Sequence, residues 1–120
     1  MRRKRHSDDE IYAKMKQLMT ERCLFLRKDL TRDQMAREVM TNRTYITRAL
    51  KGRGLNFSQF VNSFRAQYAL ELMTDPAHRD TPPADIAELS GFANRTSFNE
   101  RFRERYKMTP SEYRRAAKIN

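Results

Sequence analysis

The chain has 120 residues, enough for one domain or for two very small subdomains on a shared support. Lysine and arginine number 25 against 15 acidic residues, and the net charge of +10 favours a polyanionic partner, most often nucleic acid. One cysteine excludes an internal disulfide, one cysteine and two distant histidines make no zinc site, and three glycines with four prolines leave little room for an all-β chain.

Residues 1–6, Met-Arg-Arg-Lys-Arg-His, are basic and no apolar stretch follows them, so they are not a secretory signal. They read as a phosphate-binding arm, or as a solvated terminus or the flank of a longer chain. The longest wholly apolar run, Cys23-Leu24-Phe25-Leu26, is far short of the roughly 20 residues of a membrane helix. Ser7-Asp8-Asp9-Glu10 is a capping box, with two further acids where the helix dipole favours them. Ile11, Met15, Leu18 and Met19 follow at helical spacing, predicting an amphipathic helix to about Glu21 with a core-facing stripe. Cys23, next to Leu24 and Phe25, reads as a small core residue.

Thr31-Arg32-Asp33-Gln34 is a second capping box and starts a short helix to about Met40, with Met35, Ala36 and Val39 on one face. Asn42 caps another helix, Arg43 to Lys51, with Ile46, Ala49 and Leu50 inward and Gly52 and Gly54 behind it. Asn56-Phe57-Ser58-Gln59 opens the longest helix, about Phe57 to Met73, stopped by Asp75-Pro76. Its apolar band includes Phe57, Phe60, Val61, Phe64, Tyr68, Leu72 and Met73. A polar connection leads to Thr81-Pro82-Pro83-Ala84-Asp85 and a short helix with Ile86, Ala87 and Leu89 inward. Gly91-Phe92-Ala93 breaks it. Asn94 begins a helix to about Tyr106 with Phe98 and Phe102 inward, and Thr109-Pro110-Ser111-Glu112-Tyr113 starts a last one that fades at Ala117.

Two segments share one plan. Each is a short helix with an apolar-Ala pair (Met35-Ala36, Ile86-Ala87), a tight break, Asn-Arg-Thr (42–44, 94–96) and a basic amphipathic helix. Short helix, turn and second helix make a helix-turn-helix unit, and two such units on one long connecting helix suggest two DNA-reading heads. A major groove about 12 Å wide admits one α-helix that offers donors to base edges and cations to phosphates. The first candidate helix carries Arg43, Arg48, Lys51 and then Arg53, with no acid from Asn42 to Arg53. The second carries Arg95, Arg101, Arg103, Arg105 and Lys107 against Glu100 and Glu104. Asn42 and Asn94 stand at helix N-termini, where backbone amides also meet phosphate.

From about Thr31 to Arg114 these residues resemble the DNA-binding domain of AraC/XylS-type transcription regulators. Ile86-Ala87, Gly91-Phe92, Phe98, Phe102 and Thr109-Pro110-Ser111-Glu112-Tyr113-Arg114 reproduce that family's signature nearly in full. Arg65, Ala69 and Leu72-Met73 match its linker-helix pattern, and Met35-Ala36, Asn42, Tyr45-Ile46, Arg48, Leu50 and Gly54 fit more loosely. Lys107 departs from the glycine usual after the second recognition helix, and the first subdomain is one residue short between Leu50 and Gly54.

The resemblance implies an all-α fold of about seven helices, with two helix-turn-helix subdomains joined by a long linker helix. The corresponding division is a basic tail at 1–6, a first subdomain at 7–54, the linker helix at 55–75 and a second subdomain at 76–120. It implies sequence-specific binding of double-stranded DNA by two recognition helices in successive major grooves, regulating transcription. Base-reading positions carried over by register fall on Thr44, Thr47 and Arg48, with the flanking Arg43 counted among them and Lys51 beyond, and on Arg95, Thr96, Asn99 and Glu100. Arg48 suits guanine O6 and N7, and Asn99 suits adenine. Glu100 accepts from cytosine N4 or pairs with Arg101 or Arg103, the ion pair being favoured. The phosphate set is Asn42, Tyr45, Lys51, Arg53, Asn94, Ser97, Arg103 and Arg105.

RNA polymerase is the implied protein partner. The isolated domain is expected to be monomeric, with a longer parent dimerising through another domain, in a cytoplasmic setting and without membrane contact. The chain is then a small stand-alone regulator or the DNA-binding end of a longer protein, such as the cytoplasmic end of a sensor. No cofactor and no metal is expected. An enzyme is not expected: His6 and His78 lie in the tail and in a polar loop, and no nucleophile–base arrangement or phosphate-cradling loop has support. The main rival is a non-specific nucleic-acid-binding helical module for RNA or the nucleoid. It needs no repeat and favours exposed aromatics, whereas the phenylalanines here fall on inward faces. A partner-binding adaptor, its basic faces merely solubilising, is a third reading.

Overall fold

The computed structural model describes residues 7–119. The basic residues 1–6 read as a tail lie outside the described residues. Among those described there are seven α-helices and no strand: α1 (Asp8–Arg22), α2 (Arg32–Glu38), α3 (Arg43–Lys51), α4 (Phe57–Thr74), α5 (Pro83–Leu89), α6 (Arg95–Tyr106) and α7 (Pro110–Ile119). Short 3-10 turns stand at Leu24–Leu26 and Pro76–His78. The all-α, seven-helix expectation holds.

Polar side chains start most of these helices by satisfying backbone N–H groups that have no partner in the first turn. Ser7 Oγ accepts from the Glu10 amide, Asn42 Oδ1 from that of Tyr45 and Asn94 Oδ1 from that of Ser97. Thr31 with Gln34, Asn56 with Gln59 and Thr109 with Glu112 make reciprocal capping boxes, all six bonds within 2.8–3.1 Å. Both partners of the last box hold the Glu112 carboxyl below its usual range: the Thr109 backbone amide first, then its hydroxyl.

The chain divides into two compact units. The first comprises the residues through Leu24 together with Asp29–Phe60; the second comprises Phe25–Lys28 and the chain from Val61 on. Helix α4 runs without a break from one to the other. In the first unit α3 packs against both α1 and α2. Ile11, Met15 and Met19 of α1, Met35 and Ala36 of α2, and Ile46, Ala49 and Leu50 of α3 are buried. Phe60 is buried too, its ring 5.7 Å from that of Tyr12.

In the second unit Ala66, Ala69, Met73, Ile86, Ala87, Phe92, Phe98 and Phe102 form one apolar cluster. Small alanines on α4 leave room for the phenylalanines, whose rings meet at 5.3 Å (Phe92–Phe98) and 5.8 Å (Phe98–Phe102). Arg65 ties residues 25–28 to this unit by donating to the carbonyls of Phe25 (2.7 Å) and Arg27 (2.6 Å). Burial lowers the pKa of its guanidinium from the ordinary value. Arg114 of α7 donates to the carbonyls of Thr81 and His78, fixing the connection before α5.

Helices α2 and α5 end in the same motif. The Thr41 amide bonds Ala36 O and the Met40 amide bonds Arg37 O; the Phe92 amide bonds Ala87 O and the Gly91 amide bonds Glu88 O. Both are Schellman turns with a left-handed residue, Met40 at φ +59° and Gly91 at φ +87°. They form the tight turns of the two helix-turn-helix units.

Four sequence expectations need correction. Helix α2 stops at Glu38, because Met40 is turned left-handed and lies 88% exposed. Leu89, expected inward, is exposed at the last position of α5. Cys23 is not a core residue but the left-handed, half-buried cap of α1. Phe64 is only half-buried, stacked at 6.1 Å on the buried Phe25.

Candidate nucleic-acid interface

Helix α3 has two faces because its sequence alternates at helical period. Ile46, Ala49 and Leu50 are buried, which turns Arg43, Thr44, Thr47, Arg48 and Lys51 outward in the register i, i+1, i+4, i+5, i+8. All five sequence-predicted residues come together along one open groove of about 290 Å³. Arg32 joins them from the first turn of α2, and its Nη1 donates to Thr47 Oγ1 at 3.1 Å.

Sequence reading missed Arg32, having taken Thr31–Gln34 only as a helix start. The signal available was position: in a helix-turn-helix the first helix crosses the nucleic-acid backbone, so a cation at its start falls near phosphate.

The cations of this face are not equally free. Arg43 has Asp33 at 3.9 Å, an exposed and weak contact. The Arg48 guanidinium lies over the Tyr45 ring, 5.3 Å from its centroid, with Nε 3.4 and 3.5 Å from the two Asp8 oxygens. Arg53 is held more firmly, 3.9 Å above the Tyr12 ring with Nη2 2.9 Å from Asp9. Lys51 has no ion pair among the described residues.

Helix α6 repeats the register of α3 at an offset of 52 residues (94 minus 42 at the capping asparagines). Phe98 and Phe102 are buried; Arg95, Thr96, Glu100 and Arg103 are exposed and Asn99 is half-buried. Ser97 is half-buried, with its amide taken by the Asn94 cap at 2.8 Å. Glu100 pairs with Arg101 at 3.2 Å, and Arg101 also holds Glu104 at 3.1 Å, so one arginine occupies both acids of the helix. Arg95 and Arg103 make no ion pair among the described residues. Arg105 folds back on Tyr106, its Nε 3.1 Å from the phenol oxygen. Lys107 caps α6 in the left-handed conformation at φ +63°, without the usual glycine.

No group of three or more His, Cys, Asp or Glu side chains among the described residues is arranged to hold a metal ion. None of the described helices is long and apolar enough to cross a membrane.

A family model described as a helix-turn-helix domain matches residues 35–116. The TCP pilus virulence regulatory protein of Vibrio cholerae is 33% identical over 95 residues, covering 76% of this chain and 33% of that protein. The regulatory protein PocR of Salmonella typhimurium is 31% identical over 109 residues, covering 90% of this chain and 35% of that one. The chain thus spans about a third of the length of these curated relatives. Among solved structures, the DNA-binding domain of the global transcriptional factor AdpA, in complex with a target DNA, superposes with a TM-score of 0.71 at 19% identity. That match covers 88% of this chain and 94% of that one, a likeness of fold.

Proposed function

The chain belongs to the AraC-type family of helix-turn-helix domains, and from that premise we propose that it binds double-stranded DNA at a specific sequence and regulates transcription. The observation that carries this reading is the outer face of α3, where Arg32, Arg43, Thr44, Thr47, Arg48 and Lys51 line one groove.

Each recognition helix, α3 and α6, enters a major groove, and the two grooves are successive. On α3, Arg48 donates to guanine O6 and N7, and Arg43, Thr44 and Thr47 reach neighbouring base edges. Arg32 and Lys51 flank them at phosphates, with Tyr45, Arg53 and the capped amides after Asn42. On α6, Arg95, Thr96 and Asn99 face the bases, Asn99 toward adenine. Glu100 serves as an acceptor held in place by Arg101. Asn94, Ser97, Arg103 and Arg105 position the backbone. The domain alone is a monomer working in the cytoplasm, and RNA polymerase is the partner through which it acts.

Selection of duplexes from a random pool tests the reading. Two enriched base blocks about one helical turn apart, roughly 10 base pairs centre to centre, are expected. Equal affinity for selected and scrambled duplexes would place the chain among non-specific binders instead.

A further inference from the structure

Arg48 is restrained by a residue outside the recognition helix. A guanidinium carries five N–H donors in a rigid plane, and it can grip a base through the Nε edge or through the two Nη ends. Asp8, at the start of α1, lies against Nε through both carboxylate oxygens, at 3.4 and 3.5 Å. Tyr45 covers one face of the same group. Edge and plane are therefore both engaged, while neither Nη atom makes an ion pair among the described residues.

Asp8 is not simply an acid favoured at a helix start. Its Oδ1 is buried and makes no hydrogen bond among the described residues, so Arg48 is the charge that compensates it. Asp9, by contrast, has its side chain 89% exposed and faces Arg53.

We propose that Asp8 is a positioning residue that sets the base specificity of the domain: it holds Arg48 by Nε and presents Nη1 and Nη2 as the fork for guanine O6 and N7. The proposal rests on the reading of Arg48 as a base contact. Its physics has two parts. A side chain already fixed in its bound geometry loses less entropy on binding. A carboxylate beside the guanidinium also repels a fully charged phosphate more than it repels a neutral base edge, so the pair discounts indiscriminate backbone contacts. Register places Glu100 of α6 at the position equivalent to Arg48, so this device belongs to the first unit alone.

The test uses the full chain and two duplexes: the selected one, and one with the guanine at the position where Arg48→Ala relaxes preference replaced. The readout is the ratio of their dissociation constants. Asp8→Asn is expected to lower this ratio about two- to fivefold, the range of a half-exposed ion pair, and to tighten binding to random duplex. Asp8→Glu, which keeps the charge but displaces the carboxylate by one methylene, should lower the ratio while melting like the parent. Asp9→Asn should leave it unchanged, and adding Asp8→Asn to Arg48→Ala should change it no further. A parental ratio in Asp8→Asn and Asp8→Glu, with Arg48 dependence intact, overturns the proposal alone. If no base position responds to Arg48→Ala, the base-reading role falls and the proposal falls with it.

Discussion

Met40 and Gly91 do the same conformational work in different surroundings. A left-handed residue with a side chain costs roughly 1–2 kcal/mol. Around Met40 the chain tolerates that, because the side chain stands in open solvent. At Gly91 it cannot: a Cβ would come 2.5 Å from Phe25 O and 3.0 Å from Leu26 Cα, backbone atoms of a stretch that Arg65 holds at the carbonyls of Phe25 and Arg27. Met40→Gly should therefore raise stability by about 0.5–1 kcal/mol in denaturant unfolding, while Gly91→Ala should lower it by at least about 2 kcal/mol. A second prediction separates binding from stability. Arg48→Ala should weaken binding to a selected duplex by roughly 1–3 kcal/mol and relax one base block, with only the small fall in melting temperature that losing the part-exposed Asp8 pair brings. Equal weakening on random duplex would make Arg48 a phosphate contact. The outward residues of α3 were legible because they are what remains once the apolar period is removed. Arg32 was not, because its place beside Thr47 depends on the fold of the turn rather than on any spacing within α3.

Helix starts were readable and several helix ends were not. Every N-cap side chain that bonds the first turn of an α-helix here is Ser, Thr or Asn, the residue types that do this in any context. The left-handed ends at Cys23, Met40 and Lys107 carry no glycine, so nothing local marks them. The capping box of α7 makes a pH prediction. Thr109 holds the Glu112 carboxyl below its unfolded value, so its contribution to stability is present above that value and is lost as pH falls through the lowered, folded one. Glu112→Gln keeps a capping acceptor but does not titrate. The variant should show a shallower loss of melting temperature below about pH 5 than the parent, and identical acid profiles would contradict the assignment. On α4 the two phenylalanines should differ. Phe60→Ala removes a fully buried ring and should cost roughly 3–5 kcal/mol, whereas Phe64→Ala, half-exposed on Phe25, should cost clearly less.

At the scale of the whole chain, +10 of net charge points to a polyanion but says nothing about whether it is read or merely held. The ion pairs divide the cations into those already engaged within the protein and those left for a partner. Arg101 is engaged by Glu100 and Glu104, whereas Arg53 pairs only with the exposed Asp9, and Lys51, Arg95 and Arg103 have no ion pair among the described residues. Register sharpens the difference between α3 and α6, the two helices proposed to read DNA. Arg43 and Arg95 are equivalent, as are Thr44 and Thr96, but Thr47 faces Asn99 and Arg48 faces Glu100 in that comparison. A donor fork on one helix thus corresponds to an acceptor on the other, so the two selected blocks should not be copies of one sequence. The blocks should share a base step at the Arg-Thr end and diverge at the Arg48 and Glu100 positions, with guanine favoured in one and cytosine in the other. Salt dependence provides the accompanying magnitude. If six to ten phosphates are neutralised, log K against log salt should fall with a slope of about −5 to −9. Losing Lys51 or Arg103 should each make that slope shallower by about 1 on any duplex, whereas Glu100→Gln should change the preferred base in one block and leave the slope nearly as it was. A slope near zero would remove DNA as the partner. Two identical blocks would show that Arg48 and Glu100 do not face equivalent bases.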